Sequence, residues 1–355
     1  MPSFATHLTI NGRRIGSGEP CYVIAEMSAN HGGSYDRAAD ILRAARDAGA
    51  DAVKLQTYTP DGMTLDAVGG DFQLRGSLWH GRRLHDLYAE AAMPWEWQPG
   101  LLRLAGELEI DLFSSAYDAA AVDFLEGLGV PAYKVASFEL VDLPLLRRVG
   151  RTGKPVVLST GMASLAEIEE AACTLYHAGT RQLALLKCTS AYPAPPAEMN
   201  LRTIPDLARR FGLPTGLSDH TLSPAVPVAA VALGACILEK HLTLARADGG
   251  PDTAFSLEPD ELAALVRDVR TAEAALGEAA YGPTADEAFA ARYRRSLFAV
   301  RDLLPGEALT PDNVRSIRPA GGLHPRHYEE VLGCLAAGAI ARGTPLAWEL
   351  IARKL

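Results

Sequence analysis

The chain has 355 residues, 48% of them hydrophobic, which is enough for a large core and a second small domain. The formal net charge of −9 and the lack of a basic stripe with interleaved aromatic residues argue against nucleic-acid binding. An apolar run long enough for a transmembrane helix, about 20 residues, does not occur, so no membrane association is expected. The N-terminal residues lack the apolar stretch of a secretion signal, and the five cysteines include no Cys-x-x-Cys pair. We therefore expect a cytoplasmic protein with reduced thiols.

Eight short apolar runs, each ending on polar or charged side chains, recur through the first two thirds of the chain. They begin near residues 22, 52, 111, 132, 155, 183, 214 and 236, and amphipathic helical stretches separate most of them. Eight strand–helix units in succession predict an α/β fold, a closed (β/α)8 TIM barrel whose active site lies where the strands end. The connection after the second strand is unusually long, and we interpret residues 59–93 as an inserted loop over the barrel mouth.

Capping residues mark the helix boundaries. Ser34 and Gly49 bracket the first helix, and Ser164 with Glu167 forms a capping box at the start of another. Residues 281–294 lack helical periodicity, so we expect a barrel over residues 1–280, a linker over 281–294 and a mixed module over 295–355. A module of this size has a marginal core of its own and is expected to pack on its own barrel or on a partner's.

Charge is distributed unevenly between these parts. From Arg292 onward there are ten Lys/Arg and six Asp/Glu, whereas the preceding 291 residues carry 24 and 37. A basic tail on an acidic body predicts an intramolecular or intersubunit contact, or a cation that is delivered to an anionic ligand.

Two histidines follow the ends of the seventh and eighth predicted strands, which are neighbours in a closed barrel. His220 and His241 can share a divalent metal ion, with substrate oxygens and water as the remaining ligands. The alternative is that both are hydrogen-bonded residues at the start of loops.

Three lysines, Lys54, Lys134 and Lys187, lie at the ends of other predicted strands and point inward if the alternation holds. One interpretation is an anion clamp, completed by the hydroxyl groups of Ser137 and Ser159. Another is a lysine that forms a Schiff base, as in barrel aldolases. A third is that the lysines only neutralise nearby carboxylates in buried salt bridges.

Carboxylates at the predicted barrel mouth are candidates for proton transfer. Desolvation can raise the pKa of a buried carboxyl group, which suits Glu26 and Glu139 for this role. The alternative is that they, like Glu239, serve only as partners of the lysines. Trp79, in the inserted loop, is expected to pack in the core or a lid.

Ordered motifs in this chain resemble the sialic acid synthase (NeuB) family over nearly the full length. The matching strings are Ile-Ala-Glu-Met-Ser-Ala-Asn-His (24–31), Gly-Ala-Asp-Ala-Val-Lys-Leu-Gln-Thr-Tyr (49–58), Tyr-Lys-Val-Ala-Ser-Phe-Glu (133–139), Leu-Ser-Thr-Gly-Met (158–162), Gly-Leu-Ser-Asp-His-Thr (216–221), Leu-Glu-Lys-His-Leu-Thr (238–243) and Gly-Gly-Pro-Asp (249–252). The tail resembles that family's antifreeze-like (SAF) domain, in which an arginine reaches into the partner subunit's barrel. Arg318 matches this arginine, although the family usually continues Pro-Gly where this chain has Pro319-Ala320.

The resemblance implies a transferase that forms a C–C bond between phosphoenolpyruvate and an amino sugar. It implies a divalent metal (Mn²⁺, Mg²⁺ or Co²⁺) on His220 and His241, catalytic roles for these histidines with Glu26 and Glu139, and a domain-swapped homodimer. The substrate-binding residues that it implies are Lys54, Gln56, Ser115, Lys134, Ser137, Ser159, Ser190, Tyr192, Glu239, Asp252 and Arg318.

Within that family, four stretches resemble the branch that makes pseudaminic acid. They cover residues 78–88, 94–97, 187–193 and 294–297, and the N-acetylneuraminate branch typically has Asn where this chain has Ser190. The expected sugar is therefore 2,4-diacetamido-2,4,6-trideoxy-L-altrose. The alternatives are a legionaminic acid or N-acetylneuraminate synthase and, in a different class, a catalytically inactive sugar-binding barrel.

Overall fold

The computed structural model describes residues 3–352, and these divide into two compact units that meet in sequence at Gly277 and Glu278. In the first unit a hairpin, β1 (His7–Ile10) and β2 (Arg13–Gly16), precedes eight parallel strands that close into a barrel in chain order. The barrel strands are β3 (Tyr22–Glu26), β4 (Ala52–Thr57), β5 (Asp111–Ala116), β6 (Tyr133–Val135), β7 (Val156–Ser159), β8 (Leu183–Cys188), β9 (Thr215–Asp219) and β10 (Ile237–His241). The predicted TIM barrel is confirmed, and each strand begins within a residue of its predicted start.

Helices follow the barrel strands, as the sequence pattern predicts. They are α1 (Tyr35–Asp47), α2 (Pro60–Met63), α3 (Leu84–Ala91), α4 (Gln98–Glu107), α5 (Ala119–Leu128), α6 (Leu143–Gly150), α7 (Leu165–Ala178), α8 (Thr203–Phe211), α9 (Ala225–Ala232) and α10 (Pro259–Leu276). The Ser34 side chain caps α1, and Ser164 and Glu167 form the predicted capping box at α7. Helices α2 and α3 lie within the inserted loop.

Side chains of the barrel strands alternate between the interior and the outer surface. The interior apolar cluster contains Tyr22, Ile24, Ala52, Phe113, Ala132, Val157, Ala184, Leu186 and Ile237, together with Leu8, Ile10 and Ile15 of the hairpin. The hairpin, which no sequence pattern predicted, therefore packs on the N-terminal ends of the strands. Because inward positions recur every second residue, the next inward positions toward the C-terminal ends are polar.

The second unit holds a short helix, α11 (Ala285–Ala290), followed by two small antiparallel sheets. One sheet pairs β11 (Ser296–Ala299) with β12 (Val314–Ile317), and the other pairs β13 (Leu335–Ala336) with β14 (Ile351–Ala352); α12 (Tyr328–Val331) lies between them in sequence. Its own core is built from Leu297, Ala299, Leu303, Leu309, Val314, Val331, Ala336, Ile340 and Leu346. Strand β11 lies at the start of the mixed module expected over residues 295–355, and the segment expected as a linker contains α11. Within residues 3–352, no helix combines the length and the apolar character needed to cross a membrane.

A glycine on β9 is required by the packing of the barrel interior. A Cβ atom on Gly216 would collide with the carbonyl oxygen of Ile237 and lie 2.7 Å from Cδ2 of Leu186. We expect Gly216→Ala to destabilise the protein by about 1–3 kcal/mol, because a close-packed interior must shift to admit the methyl group. The measurement is urea unfolding followed by circular dichroism.

The same substitution at Gly106 in α4 is the matched control. No heavy atom lies within 4 Å of a Cβ placed there, and in helical conformation alanine is favoured over glycine by up to about 1 kcal/mol. Gly106→Ala should therefore stabilise the protein. Equal effects of the two substitutions would contradict the packing argument.

Candidate active site

The polar ends of the barrel's inward faces meet in one cavity of about 570 Å³. Most of the predicted site residues line it: Lys54, Gln56, Lys134, Ser137, Glu139, Ser159, Tyr192, His220, Glu239, His241 and Asp252. Glu26 and Ser115 are fully buried and contact Lys54. Ser190 lies beside the cavity, with its Oγ 3.8 Å from Sγ of Cys188. Arg318 belongs to the second unit, where it directly follows β12.

Lys54 is the central cation of a buried charge cluster. Its Nζ lies 2.7 Å from Oε2 of Glu26, 3.5 Å from Oε1 of Glu239 and 3.1 Å from Oγ of Ser115. These four side chains come from β10, β3, β4 and β5, which are successive neighbours in the barrel. Salt bridges between lysines and carboxylates, one of the predicted alternatives, are therefore present, and their members lie at the cavity wall.

Lys134 has weaker partners than Lys54. Its Nζ donates to the carbonyl oxygen of Val135 at 3.3 Å and lies 3.7 Å from Oε1 of Glu239. Burial lowers the pKa of this lysine. Nearby, the buried Oγ of Ser159 has no hydrogen-bond partner among the described residues. Ammonium and hydroxyl groups with weak or missing protein partners, such as these two, are suited to bind an anionic ligand.

Lys187 does not share this arrangement, and the prediction that it points inward is wrong. On β8, Leu183 and Leu185 pack in the outer core, and Lys187 has the same parity. Its Nζ donates to the carbonyl oxygen of Cys188 at 2.6 Å and to Oγ1 of Thr189 at 3.1 Å. The inward position at this strand end is occupied by Cys188, which lines the cavity.

A glycine after β7 brings two hydroxyl groups together. A Cβ atom on Gly161 would lie 2.7 Å from Oγ of Ser137 and 2.5 Å from Oγ of Ser190. The main-chain N–H of Gly161 donates to Oγ of Ser137 at 3.1 Å. Only a residue without a side chain allows both serines to keep these positions.

Two of the carboxylates have pKa values suited to proton transfer near neutral pH. Burial raises the pKa of Glu139 to about 7, and Oε2 of this residue has no hydrogen-bond partner within residues 3–352. Burial likewise raises the pKa of Glu26 to about 7, against the opposing effect of Lys54. For Glu239, the neighbouring Lys134 and Lys54 outweigh burial and lower the pKa, so this group is ionised.

The two histidines lie side by side, with ring centroids 5.3 Å apart. Nδ1 of His220 is 3.0 Å from the carbonyl oxygen of Thr189, and since a carbonyl can only accept, Nδ1 carries a proton and Nε2 is the nitrogen left to contact a ligand. Burial lowers the pKa of His241 well below its ordinary value, so this ring is neutral. Its Nδ1 has no partner in the described part of the chain.

Aromatic side chains enclose the histidines. Tyr192 lies 4.3 Å from the ring of His220, and Phe255 lies 4.9 Å from the ring of His241. Trp79 of the inserted loop packs on Tyr192 and donates from Nε1 to the carbonyl oxygen of Pro251 at 2.8 Å. The expected packing role of Trp79 is confirmed, whereas Phe255 was missed because it follows a long irregular segment with no recognisable period.

The inserted loop contributes a separate, largely apolar part of the lining. Its residues there are Gly62, Met63, Leu74, Trp79, Leu84, Leu87, Tyr88 and Ala91. The expectation that residues 59–93 shape the mouth of the barrel is thereby confirmed. The cavity thus combines a charged floor, formed at the strand ends around Lys54, with an apolar wall, formed by the inserted loop.

The family of the chain follows from comparison with known proteins. The sequence profile described as the NeuB family matches residues 41–281. The chain belongs to the NeuB family. A SAF domain matches residues 294–352, downstream of the NeuB match.

Relatives of this NeuB-family chain include synthases of two different sugar acids. The chain is 40% identical to the pseudaminic acid synthase of Helicobacter pylori, over 95% of this chain and 99% of that protein. It is 35% identical to the N,N'-diacetyllegionaminic acid synthase of Legionella pneumophila, over 96% and 98%. Among solved structures, the N-acetylneuraminic acid synthetase of Leptospira borgpetersenii is 30% identical over 82% of this chain and 96% of that one, with a TM-score of 0.72.

The raised pKa of Glu139 predicts a pH-dependent stability. A neutral Glu139 is favoured by the fold, so its contribution is complete below the ordinary pKa of Glu, about 4.3, and is lost as the pH rises through about 7. We expect Glu139→Gln to gain stability relative to the unmodified chain between pH 5 and pH 8. Melting temperatures measured across this range test the prediction.

Glu167 in the capping box provides a control of opposite sign. Hydrogen bonds from Ser164 lower the pKa of Glu167, so its contribution is present above its ordinary pKa and is lost in acid. Glu167→Gln should therefore lose stability at pH 5 to 8, with no gain as the pH rises. A pH-independent difference between Glu139→Gln and the unmodified chain would count against the raised pKa.

Proposed function

We propose that this chain condenses phosphoenolpyruvate with 2,4-diacetamido-2,4,6-trideoxy-L-altrose to form a nonulosonic acid and phosphate. The observation that carries the proposal is that hydrogen-bond donors for an anion lie on one side of the cavity, opposite a histidine and a carboxylate on the other side. Lys134 and Ser159, on β6 and β7, face His241 and Glu26, on β10 and β3, across the closed barrel. The 40% identity with a pseudaminic acid synthase over nearly the whole chain supports this choice of reaction.

The anionic substrate suits the side of the cavity that holds Lys134. Phosphoenolpyruvate carries a phosphate and a carboxylate, and Lys134, Ser137 and Ser159 offer donors with few competing partners. Lys54 adds positive charge, while its bonds to Glu26 and Ser115 hold it in place. Preorganised donors of this kind stabilise charge without rearranging during the reaction.

The bond changes define what the remaining residues have to do. C3 of phosphoenolpyruvate forms a bond to the aldehyde carbon of the open-chain sugar, a water oxygen adds at C2, and phosphate leaves. The aldehyde oxygen gains a proton and the water loses protons. We propose Glu139 for proton transfer, because its pKa of about 7 lets it both donate and accept at neutral pH.

The two histidines fit a divalent cation. His220 donates from Nδ1 to a main-chain carbonyl oxygen, which leaves Nε2 for a metal, and His241 is neutral with an unpartnered Nδ1. No group of three His, Cys, Asp or Glu side chains in residues 3–352 surrounds one metal position, so substrate oxygens and water would complete the coordination. Such a cation, Mn²⁺, Mg²⁺ or Co²⁺, would act as a Lewis acid toward the sugar aldehyde.

The histidine pair leads to a prediction about metal dependence. Chelation should abolish turnover and added Mn²⁺, Mg²⁺ or Co²⁺ should restore it, while His220→Ala or His241→Ala should lower kcat/KM at least about 100-fold. Phosphate release from phosphoenolpyruvate is the assay. His177→Ala, on the exposed face of α7, is the control and should remain fully active. Full activity in a metal-free sample would exclude the Lewis-acid role.

The expected preference for a 6-deoxy diacetamido sugar over N-acetylmannosamine rests on the apolar wall of the cavity. The side chains of Leu74, Leu84 and Leu87 in the inserted loop offer no hydrogen-bond partner to a hydroxyl group, and Met63 offers only a weak acceptor. A 6-deoxy sugar with two acetamido groups presents methyl groups to such a wall, whereas N-acetylmannosamine presents a 6-hydroxyl group that would be desolvated.

We therefore expect kcat/KM for the diacetamido altrose to exceed that for N-acetylmannosamine by about 100-fold. The assay is phosphate release with a panel that also contains bacillosamine-derived isomers. Preference for a bacillosamine-derived sugar would assign the chain to the legionaminic acid branch, and preference for N-acetylmannosamine to the N-acetylneuraminate branch. Activity with none of them would favour a sugar-binding barrel.

We also propose that the active protein is a domain-swapped homodimer, with Arg318 of one chain acting on sugar bound in the partner's barrel. The support is the charge asymmetry, ten Lys/Arg against six Asp/Glu from Arg292 onward and 24 against 37 before it, together with the exposed position of Arg318. A basic module is attracted to the acidic barrel of a partner chain, where the guanidinium group of Arg318 can donate hydrogen bonds to oxygen atoms of the sugar.

Complementation between two inactive chains tests this assembly. A mixture of His241→Ala and Arg318→Ala chains should recover up to about a quarter of the activity of the same amount of unmodified protein. The reason is that each heterodimer holds one site with neither substitution. Exchange of subunits is checked with chains of different tags. No recovery despite demonstrated exchange would mean that Arg318 serves its own barrel or neither.

A further inference from the structure

We infer that Asp219 and Lys240 are positioning residues that hold His220 and His241 at a fixed separation. They lie opposite each other in the register of β9 and β10, and each immediately precedes one of the histidines. The inference rests on the metal role proposed for the two histidines, and extends it to residues that do not face the cavity.

The pair is buried and directly bonded. Asp219 and Lys240 are 1% and 2% exposed, and Nζ of Lys240 lies 2.7 Å from Oδ2 of Asp219. A charged hydrogen bond in this setting has a defined direction, because few other partners compete for either group. The bond therefore joins the end of β9 to the end of β10.

Thr221 extends the connection to the other side of His220. Its main-chain N–H donates to Oδ1 of Asp219 at 2.9 Å, and its hydroxyl group donates to Oδ2 at 3.2 Å. Lys240 also donates to the main-chain carbonyl oxygen of Thr221. The residues on both sides of His220 are thus bonded to the residue immediately before His241, so a shift of one histidine relative to the other would break several bonds.

The location of the pair excludes a direct role in substrate binding. Leu217 and Leu238, two residues earlier on the same strands, pack in the outer core, so Asp219 and Lys240 point to the outer face of the barrel. Neither residue lines the cavity.

An apolar pair would stabilise this outer face at least as well. Desolvation offsets much of the attraction within a buried ion pair, and hydrophobic replacements are often neutral or stabilising. What the ions add is fixed geometry. Residues that orient metal-binding histidines from outside the coordination sphere typically change metal affinity 10- to 100-fold when they are replaced.

The test measures binding of Mn²⁺ alone, by the electron paramagnetic resonance signal of the free ion. Asp219→Asn, Lys240→Met and the double variant should each weaken Mn²⁺ binding about 10- to 100-fold. Their affinity for phosphoenolpyruvate in the absence of metal should stay unchanged, because Lys134 and Ser159 lie on other strands. Turnover should recover when the Mn²⁺ concentration is raised in proportion to the loss of affinity.

Two controls separate positioning from stability. A single substitution leaves one buried charge uncompensated and can prevent folding, whereas the double variant is neutral and of similar volume, so it provides the folded sample. Leu238→Ala opens a cavity in the outer core of the same strand and should lower the melting temperature without changing the Mn²⁺ affinity. A folded double variant that binds Mn²⁺ as tightly as the unmodified chain would overturn the inference.

A His220→Ala sample distinguishes this failure from failure of the proposed metal role. If the unmodified chain binds Mn²⁺ no better than His220→Ala, the metal role is wrong and the inference falls with it. If His220→Ala loses binding while the double variant of Asp219 and Lys240 retains it, the metal role stands and only the positioning role is wrong.

Discussion

The ion pairs around Lys54 are the interaction on which the cavity depends. One ammonium group from β4 lies between Glu26 of β3 and Glu239 of β10, and Lys134 approaches Glu239 from β6. These charges are almost completely buried, so each is tolerated only because an opposite charge is close. The contacts involve strands from the start, the middle and the end of the barrel, and they exist because β10 pairs with β3 and closes the sheet.

Charge compensation on the floor leaves other polar groups available for chemistry. Oγ of Ser159, Oε2 of Glu139 and Nδ1 of His241 are buried without hydrogen-bond partners among the described residues, and all three residues line the cavity. Folded proteins rarely leave buried polar groups unsatisfied, so their concentration at one place is typical of a site that a ligand completes. The raised pKa of Glu139 and the lowered pKa of His241 arise from the same burial.

The charged and the apolar lining of the cavity come from different parts of the first unit. The strand ends supply the charged and ionisable groups, on elements that are held rigidly by the barrel. The inserted loop of residues 59–93 supplies apolar side chains, including Met63 and Leu74, on short helices and irregular backbone. A loop can change in sequence without disturbing strand pairing, which explains how one barrel can serve related sugars in different members of a family.

The sequence by itself determined the barrel, the helix caps and most of the cavity residues. Strand alternation and helical spacing are local, so the strand starts, the cap at Ser34, and the positions of Lys54 and Lys134 could be inferred from nearby residues. The histidines could be placed together because consecutive strands of a barrel are neighbours. The family motifs extended the prediction to Gln56, Tyr192 and Asp252.

Only the tertiary structure decided which face of each strand turns inward and which distant residues meet. A shift of one residue exchanges the two faces of a strand, so Lys187, outside the barrel, could not be distinguished from an inward lysine by its position at a strand end. The hairpin at the N-terminus and Phe255 pack through contacts with no local period. The bond between Asp219 and Lys240 depends on the register of β9 against β10, and register is a property of two strands together, which neither strand's own sequence contains.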